Sequence, residues 1–275
     1  MTRVALFQST TGIDPVENAR VLASAVEEAA AGGAALLFTP EMSGLLDRDA
    51  TRAAKVLRRP DEDAVLAACR EATAKHGVWL HLGSLAVLAE GGKVANRAIV
   101  IDSAGEVRAT YDKMHLFDVD LPTGESWRES NVYASGSGAV IVEGTPVGRL
   151  GLTICYDLRF PGLFARLAEA GAEVIAVPAA FTVPTGMAHW HVLLRARAIE
   201  AGLFVIAAAQ VGHHEDGRNT FGHSLVADPW GELLLDMGDR QGIGFAEIDL
   251  ARIADVRSRI PALDHRRPIP EALRR

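Results

Sequence analysis

Three reactive side chains stand where apolar, strand-like runs end. Glu41 follows Leu36-Leu37-Phe38-Thr39-Pro40, Lys113 follows Val107 to Asp112, and Cys155 follows Arg149 to Ile154. In open α/β sheets, ligands collect outside the carboxyl ends of strands. If these ends converge, a carboxylate, an ammonium and a thiol share one pocket, and each has a task in amide hydrolysis. A free thiol has a pKa of about 8.5, so little thiolate exists at neutral pH. Glu41 can take the thiol proton while Cys155 attacks an amide carbon, and Lys113 with the backbone N–H of Tyr156 can hold the oxyanion. Glu41 can then protonate the leaving amine and activate the water that cleaves the thioester. The competing reading of Cys155 is a buried structural cysteine, since free Cys is among the most buried residue types. Taken singly, Glu41 and Lys113 read as solvated charges at strand ends.

The elements that must position these groups are legible from pattern. Val4 to Gln8 is a buried strand. Asp14 caps a helix running to about Ala31, with Pro15 in its first position and Glu17 completing a capping box. Gly32-Gly33 ends it. Ala35 to Thr39 is a second strand, and Asp61 to Lys75 an amphipathic helix stopped by Gly77, with Cys69 packed on its apolar side. Val78 to Leu88 and Lys93 to Ile101 form a hairpin across Glu90-Gly91-Gly92. Val107 to Tyr111, Ala139 to Val142 and Arg149 to Ile154 are further strands. Pro161 to Ala170 and Ala188 to Ala201 are helices, each followed by a strand, Val174 to Val177 and Phe204 to Ala209. Gly222 to Ala227 pairs with Glu232 to Leu235, Ile243 to Ile248 is the last strand, and Asp249 caps a short terminal helix. About a dozen strands exceed one ordinary open sheet. Two sheets packed face to face, each covered outside by helices, would bury them.

Composition narrows the function class. The chain has 275 residues, 49% of them apolar and 23% charged, with a formal net charge of -7. That suits a soluble globular enzyme with a large core. No Lys/Arg run builds a nucleic-acid face. No apolar run is long enough to span a bilayer, and no signal-peptide pattern opens the chain, so no membrane partner is expected. The two cysteines, Cys69 and Cys155, form no CxxC motif. They fit a reducing cytoplasm. No Pro/Gly/Ser-rich linker or fixed-period repeat divides the chain, and residues 1–275 read as a single domain.

Pro40-Glu41, Tyr111-Asp-Lys113-Met-His-Leu-Phe117 and Cys155-Tyr-Asp-Leu-Arg-Phe-Pro161 resemble, in order and separation, the three motifs of the nitrilase superfamily of carbon–nitrogen hydrolases. The resemblance runs from Val4 to about Ile248. It implies an α/β fold, the four-layer α-β-β-α sandwich of the nitrilase type, and a catalytic Glu–Lys–Cys triad at Glu41, Lys113 and Cys155. It implies a homodimer or larger homo-oligomer packed through helices near the site, a small-molecule amide substrate, and no metal or organic cofactor. Glu129, in Trp127-Arg-Glu-Ser-Asn131, matches a second Glu that in related amidases orients substrate and Lys. Arg159 matches a substrate-carboxylate anchor in some relatives and can equally pair with Asp157. Asp112 departs from the pattern, since many relatives carry Arg there. Adjacent strand residues face opposite sides, so Asp112 is expected to point away from Lys113.

Within the superfamily, His115 to Pro122 and Arg128 to Asn131 resemble the amidase branch. Phe181-Thr-Val-Pro-Thr-Gly186, Ala188-His-Trp190, Arg195 to Glu200, Ala207 to Gly212 and Phe221 to Ser224 resemble the deaminated glutathione amidases. The implied reaction cleaves the amide between a 2-oxoglutaryl group and cysteinylglycine. Phe181 and Thr182, with Tyr156, become candidate substrate-binding residues. The alternatives are an omega-amidase acting on 2-oxoglutaramate or another small carboxamide, and a non-catalytic scaffold that keeps the fold. A Cys–His amidotransferase would need a glycine-flanked elbow, which Thr153-Ile-Cys-Tyr-Asp157 lacks. The run His213-His214-Glu215-Asp216 reads as a solvated loop, because adjacent residues cannot easily share one metal. His189 and His191 are two apart and do not share a helix face.

Overall fold

The computed structural model describes residues 1–275 except 90–91, 121–123, 125, 273 and 275. The expected turn at Glu90-Gly91 and the end of the His115 to Pro122 stretch lie outside the described residues. The first half runs β1 (Thr2–Gln8), α1 (Pro15–Ala31), β2 (Leu36–Phe38), α2 (Ala50–Val56), α3 (Ala64–His76), β3 (Trp79–Leu88), β4 (Val94–Ile101) and β5 (Val107–Asp112). A small hairpin follows, β6 (Asp118–Asp120) with β7 (Ser126–Arg128). The second half runs β8 (Val140–Thr145), β9 (Gly148–Leu152), α4 (Pro161–Glu169), β10 (Val174–Ala176), α5 (Val183–Ala201) and β11 (Phe204–Ala207). It closes with the hairpin β12 (Val211–His213) and β13 (Asn219–Phe221), then β14 (Leu225–Ala227), β15 (Leu233–Asp236), β16 (Gly242–Ile248) and α6 (Ala251–Arg259).

The larger strands form two six-stranded sheets, ordered β16-β1-β2-β3-β4-β5 and β15-β14-β11-β10-β9-β8. Alternation along each strand explains the near-continuous apolar runs. Val4, Leu6, Leu36, Phe38 and Val100 of the first sheet share one core cluster with Leu150, Leu152 and Val174 of the second. Ala5, Leu37, Leu80 and Ile101 face the other way, against Leu22 and Val26 of α1 and Leu66 and Cys69 of α3. On the far side of the second sheet, Phe164 and Leu167 of α4 and Trp190 and Leu194 of α5 complete the first cluster. Both faces of both sheets are therefore apolar, and the architecture is an α-β-β-α sandwich.

Local corrections have physical causes. Glu17 joins no capping box; its carboxylate accepts from Arg20, while Asp14 alone caps α1 through Val16 N–H. α3 starts at Ala64, not Asp61, because Asp63 caps it and residues Pro60–Glu62 form a separate 3-10 turn. α5 starts five residues upstream of the expected Ala188, with Pro184 in its first turn, where a missing N–H costs nothing. α2 was not anticipated; Asp49 caps it by accepting from Thr51 and Arg52 N–H.

Candidate active site

Each of the expected reactive residues lies just past a strand, and each is held there by a distinct device. β2 stops at Phe38, and the chain turns at Pro40. The Thr39 hydroxyl oxygen accepts from Gly83 N–H at 3.0 Å, and the Ser43 hydroxyl donates to Pro40 O at 2.6 Å. Gly83 is needed here. A Cβ on it would stand 2.0 Å from Thr39 O and 2.5 Å from Pro40 O. Gln210 Nε2 donates to Glu41 O at 2.9 Å, fixing the turn to the second sheet.

Lys113 follows β5, and its backbone N–H continues the ladder to Asn96 O at 2.9 Å. Asp112 points away as expected and takes two hydrogen bonds from Arg97, at 2.6 and 2.8 Å. β9 ends at Leu152, earlier than expected. Thr153 and Cys155 are then held by the end of β10 and the segment after it, with Thr153 Oγ1 donating to Ala176 O at 2.8 Å and Cys155 N–H to Pro178 O at 2.9 Å. Cys155 itself has φ 49°. A non-glycine residue rarely adopts that left-handed backbone, which costs on the order of 1–3 kcal/mol. A short 3-10 helix, Cys155–Arg159, leads into α4 at Pro161. The thiol thus sits on an elbow between strand and helix without glycine at the bend.

The side chains converge. Lys113 Nζ donates to Glu41 Oε1 at 2.9 Å and to Glu129 Oε2 at 2.9 Å. Glu41 Oε2 accepts from Ala180 N–H at 3.0 Å, and Glu129 Oε2 from Phe117 N–H at 2.7 Å. The Cys155 thiol lies near enough to Glu41 for each to influence the other's ionisation. Lys113 is 2% exposed, Glu41 5% and Cys155 8%. Sequence reading missed Asn96, whose Nδ2 donates to Glu41 at 2.9 Å and Glu129 at 3.2 Å. A polar residue inside the apolar run Val94 to Ile101 was the available signal.

The electrostatics follow from burial and pairing. Burial would raise the Glu41 carboxyl, but Lys113 beside it, with hydrogen bonds from Cys155, Lys113 and Asn96, holds it below the usual carboxylate value. Burial would lower the Lys113 ammonium, yet Glu129, Glu41 and Cys155 hold it well above its ordinary range. Burial pushes the Cys155 thiol up, Glu41 adds to that, and Lys113 only partly opposes it. The resting set is therefore a neutral thiol, a carboxylate that can take its proton, and an ammonium.

All eight expected residues line one cavity of about 370 Å³: Glu41, Lys113, Glu129 and Cys155, together with Tyr156, Arg159, Phe181 and Thr182. Arg159 does not pair with Asp157. Its guanidinium contacts His189 Nδ1 at 3.2 Å and lies over the Phe181 and Tyr156 rings at 5.5 and 6.0 Å. Asp157 is buried beneath the elbow and bonded to Tyr111 and His115. Arg48, Trp127 and Arg218 also line the cavity and were not singled out from sequence.

The histidine-rich loop divides its contacts. His214 meets Thr11 O and Thr220, Glu215 accepts from Ile13 N–H, and Asp216 pairs with Arg218. His191 joins His223 and Asp236 away from the cavity, and the two imidazoles contact opposite oxygens of that carboxylate at 2.9 Å each.

Comparison with known proteins identifies the family. The family model "Carbon-nitrogen hydrolase" matches residues 3–258. The deaminated glutathione amidase of Mus musculus is 40% identical over 269 residues, 96% of this chain and 83% of the relative. That of Yersinia enterocolitica is 38% identical over 267 residues, 96% of this chain and 92% of the relative. Among solved structures, the C. elegans NitFhit protein is 37% identical with a TM-score of 0.89, covering 97% of this chain and 65% of that one. An amidase from Nesterenkonia sp. is 27% identical with a TM-score of 0.78, covering 94% and 95%. With a matched carbon–nitrogen hydrolase region spanning nearly its whole length, the chain belongs to the carbon–nitrogen hydrolase family of the nitrilase superfamily.

Proposed function

We propose that this chain is a cysteine-dependent amidase whose substrate is deaminated glutathione, cleaved to 2-oxoglutarate and cysteinylglycine. The observation that carries the chemistry is the buried contact of Lys113 with both Glu41 and Glu129 at the base of the cavity that Cys155 lines. The names of the relatives support the substrate.

In this mechanism Cys155 Sγ attacks the amide carbon while its proton passes to Glu41. The C=O electrons move onto oxygen, where Lys113 and the Tyr156 N–H stabilise the negative charge. The tetrahedral intermediate collapses, the C–N bond breaks, and Glu41 gives its proton to the leaving amine. A water then attacks the thioester, losing its proton to Glu41, and the acid leaves as the thiol is restored. Glu129 keeps Lys113 charged and aimed. Arg159, on an aromatic floor of Tyr156 and Phe181, offers paired N–H donors to the 2-oxo acid carboxylate. Thr182 lines the same cavity.

The assembly we propose is a homodimer. Val192 and Ile199 of α5, Trp230 and Ile260 are all exposed, an apolar surface beside the site's own helix that a second copy would cover. Two free cysteines suit a reducing cytoplasm. Among the described residues, no helix is long and apolar enough to cross a membrane.

Release of 2-oxoglutarate from deaminated glutathione and from 2-oxoglutaramate, by wild type and Cys155→Ala, tests the reading. Preference for deaminated glutathione, abolished by the substitution, is expected. Preference for 2-oxoglutaramate moves the protein to omega-amidase. No turnover of either leaves a scaffold or an amidase of another substrate.

A further inference from the structure

Two cationic groups stand at opposite ends of a row of aromatic rings in the cavity wall. Arg159 lies over Tyr156 at 6.0 Å. Tyr156 meets Phe117 edge-on at 5.1 Å, and Phe117 meets Trp127 at 6.4 Å. Beyond Trp127 stand Arg218 and Arg48, with guanidinium carbons 5.1 and 5.5 Å from its ring centroid. All six residues line the same cavity as Cys155. Arg218 is half-buried and fixed by Asp216 at 2.7 Å. Asp216 Oδ2 also accepts the Arg48 backbone N–H at 2.9 Å, so one carboxylate positions both residues. The Arg48 guanidinium has no carboxylate within ion-pair range among the described residues. On a chain of net charge -7, an uncompensated cation at a cavity wall concentrates anions there.

We infer that Arg48, supported by Arg218 on the Trp127 ring, forms a second carboxylate subsite that binds the far end of the leaving group. The inference rests on the proposed function and deepens it. The proposed substrate carries a carboxylate on each side of its scissile amide, one on the 2-oxo acid and one on the terminal glycine. Arg159 takes the first. A dipeptide leaving group extends about 7 Å beyond the scissile nitrogen, which carries its terminal carboxylate away from the end that Arg159 holds. The aromatic row gives its apolar atoms a surface between them. A small amide such as 2-oxoglutaramate has no group to place at Arg48, so this subsite selects the longer substrate by a contact the shorter one cannot make.

The test compares deaminated glutathione with the same compound carrying a C-terminal amide in place of the glycine carboxylate, in wild type, Arg48→Met and Arg48→Lys. A charge-assisted contact sets the expected discrimination at about tenfold to a hundredfold in kcat/KM for the acid over the amide. In Arg48→Met that ratio collapses towards one, with the change in KM, and Arg48→Lys restores part of it. An acid-to-amide ratio that is the same in wild type and Arg48→Met overturns the subsite while leaving the function intact. Cleavage of neither compound by wild type overturns both. Arg48 is exposed, so its substitution leaves the core unchanged, and unchanged circular dichroism and thermal unfolding check this.

Discussion

The Tyr111 hydroxyl donates to Asp157 Oδ2 at 2.7 Å, joining the strand that delivers Lys113 to the elbow that delivers Cys155. The same carboxylate accepts from Ile154 N–H at 2.9 Å and from His115 N–H at 3.1 Å, and contacts His115 Nδ1 at 2.6 Å. One fully buried Asp therefore holds both halves of the site in register. Tyr111→Phe removes a buried donor and leaves Asp157 undersatisfied, at an expected cost of about 1–3 kcal/mol in denaturant unfolding. Asp157→Ala, which strands several donors together, is expected to cost more. In both, kcat falls further than KM rises, because the thiol is displaced relative to Lys113 while the cavity walls remain. Unchanged kcat in folded Asp157→Ala would remove the positioning role.

Glu129→Gln keeps the shape of the side chain and removes its charge. Glu129 is the strongest of the influences that raise the Lys113 ammonium. Its neutralisation lowers that value, so the alkaline limb of the kcat/KM profile moves to lower pH. Turnover at neutral pH is expected to fall about a hundredfold, the scale of a damaged oxyanion donor. A profile with an unmoved alkaline limb would separate Glu129 from Lys113.

Glu41 and Cys155 make a prediction with two readouts of opposite sign. Glu41→Gln removes the proposed proton acceptor, and kcat should fall about a hundredfold to ten-thousandfold. The same change removes a negative charge that raises the Cys155 thiol, while Lys113 stays. The pH midpoint for iodoacetamide alkylation of Cys155 therefore shifts downward as turnover collapses. Cys69 is the internal control. It is fully buried in the α3 layer, its thiol is pushed up to about 12, and it should stay unlabelled while the chain is folded.

What the sequence made legible, and what it did not, follows from the range of the interactions. Pro40-Glu41, Lys113 and Cys155 stand directly after strand-like runs, so one-dimensional pattern located them. Asn96 touches Glu41 and Glu129 only because β4 lies beside β5, and a single residue inside an apolar run carries little local signal. Arg48 and Arg218 are far apart in sequence, and the shared Asp216 and the Trp127 ring bring them together. α2 was missed because its seven residues bury none of their side chains, which removes the periodicity that reveals a helix. The start of α3 was misplaced because Asp61 and Asp63 are both good caps, and packing chose Asp63.

Gly83→Ala tests how tightly β3 supports the Glu41 turn. The new methyl would meet Thr39 O at 2.0 Å and Pro40 O at 2.5 Å, both backbone atoms with little freedom to move. The turn must shift outward, carrying Glu41 away from Lys113. Overpacking of this kind costs about 1–3 kcal/mol. A lowered thermal midpoint together with a larger loss in kcat than in substrate affinity is expected. A stability loss alone, with full turnover at low temperature, would show that the turn tolerates the shift.

His81 links the core to acid stability. It lies fully buried on β3 beside Phe38, with ring centroids 5.5 Å apart, and neither ring nitrogen finds a partner among the described residues. Burial lowers its value from 6.5 to about 3. The folded chain therefore keeps His81 neutral where the unfolded chain binds a proton. Stability from this residue is complete above the unfolded value of 6.5 and declines as pH falls towards 3. The slope for one proton is about 1.4 kcal/mol per pH unit. His81→Leu fills a similar apolar space without the ionisable ring. Denaturant unfolding of wild type and His81→Leu at a series of pH values between those limits should show curves that diverge on acidification, with the variant flatter by that slope. Parallel curves would mean that the His81 proton balance does not differ between the folded and unfolded chain.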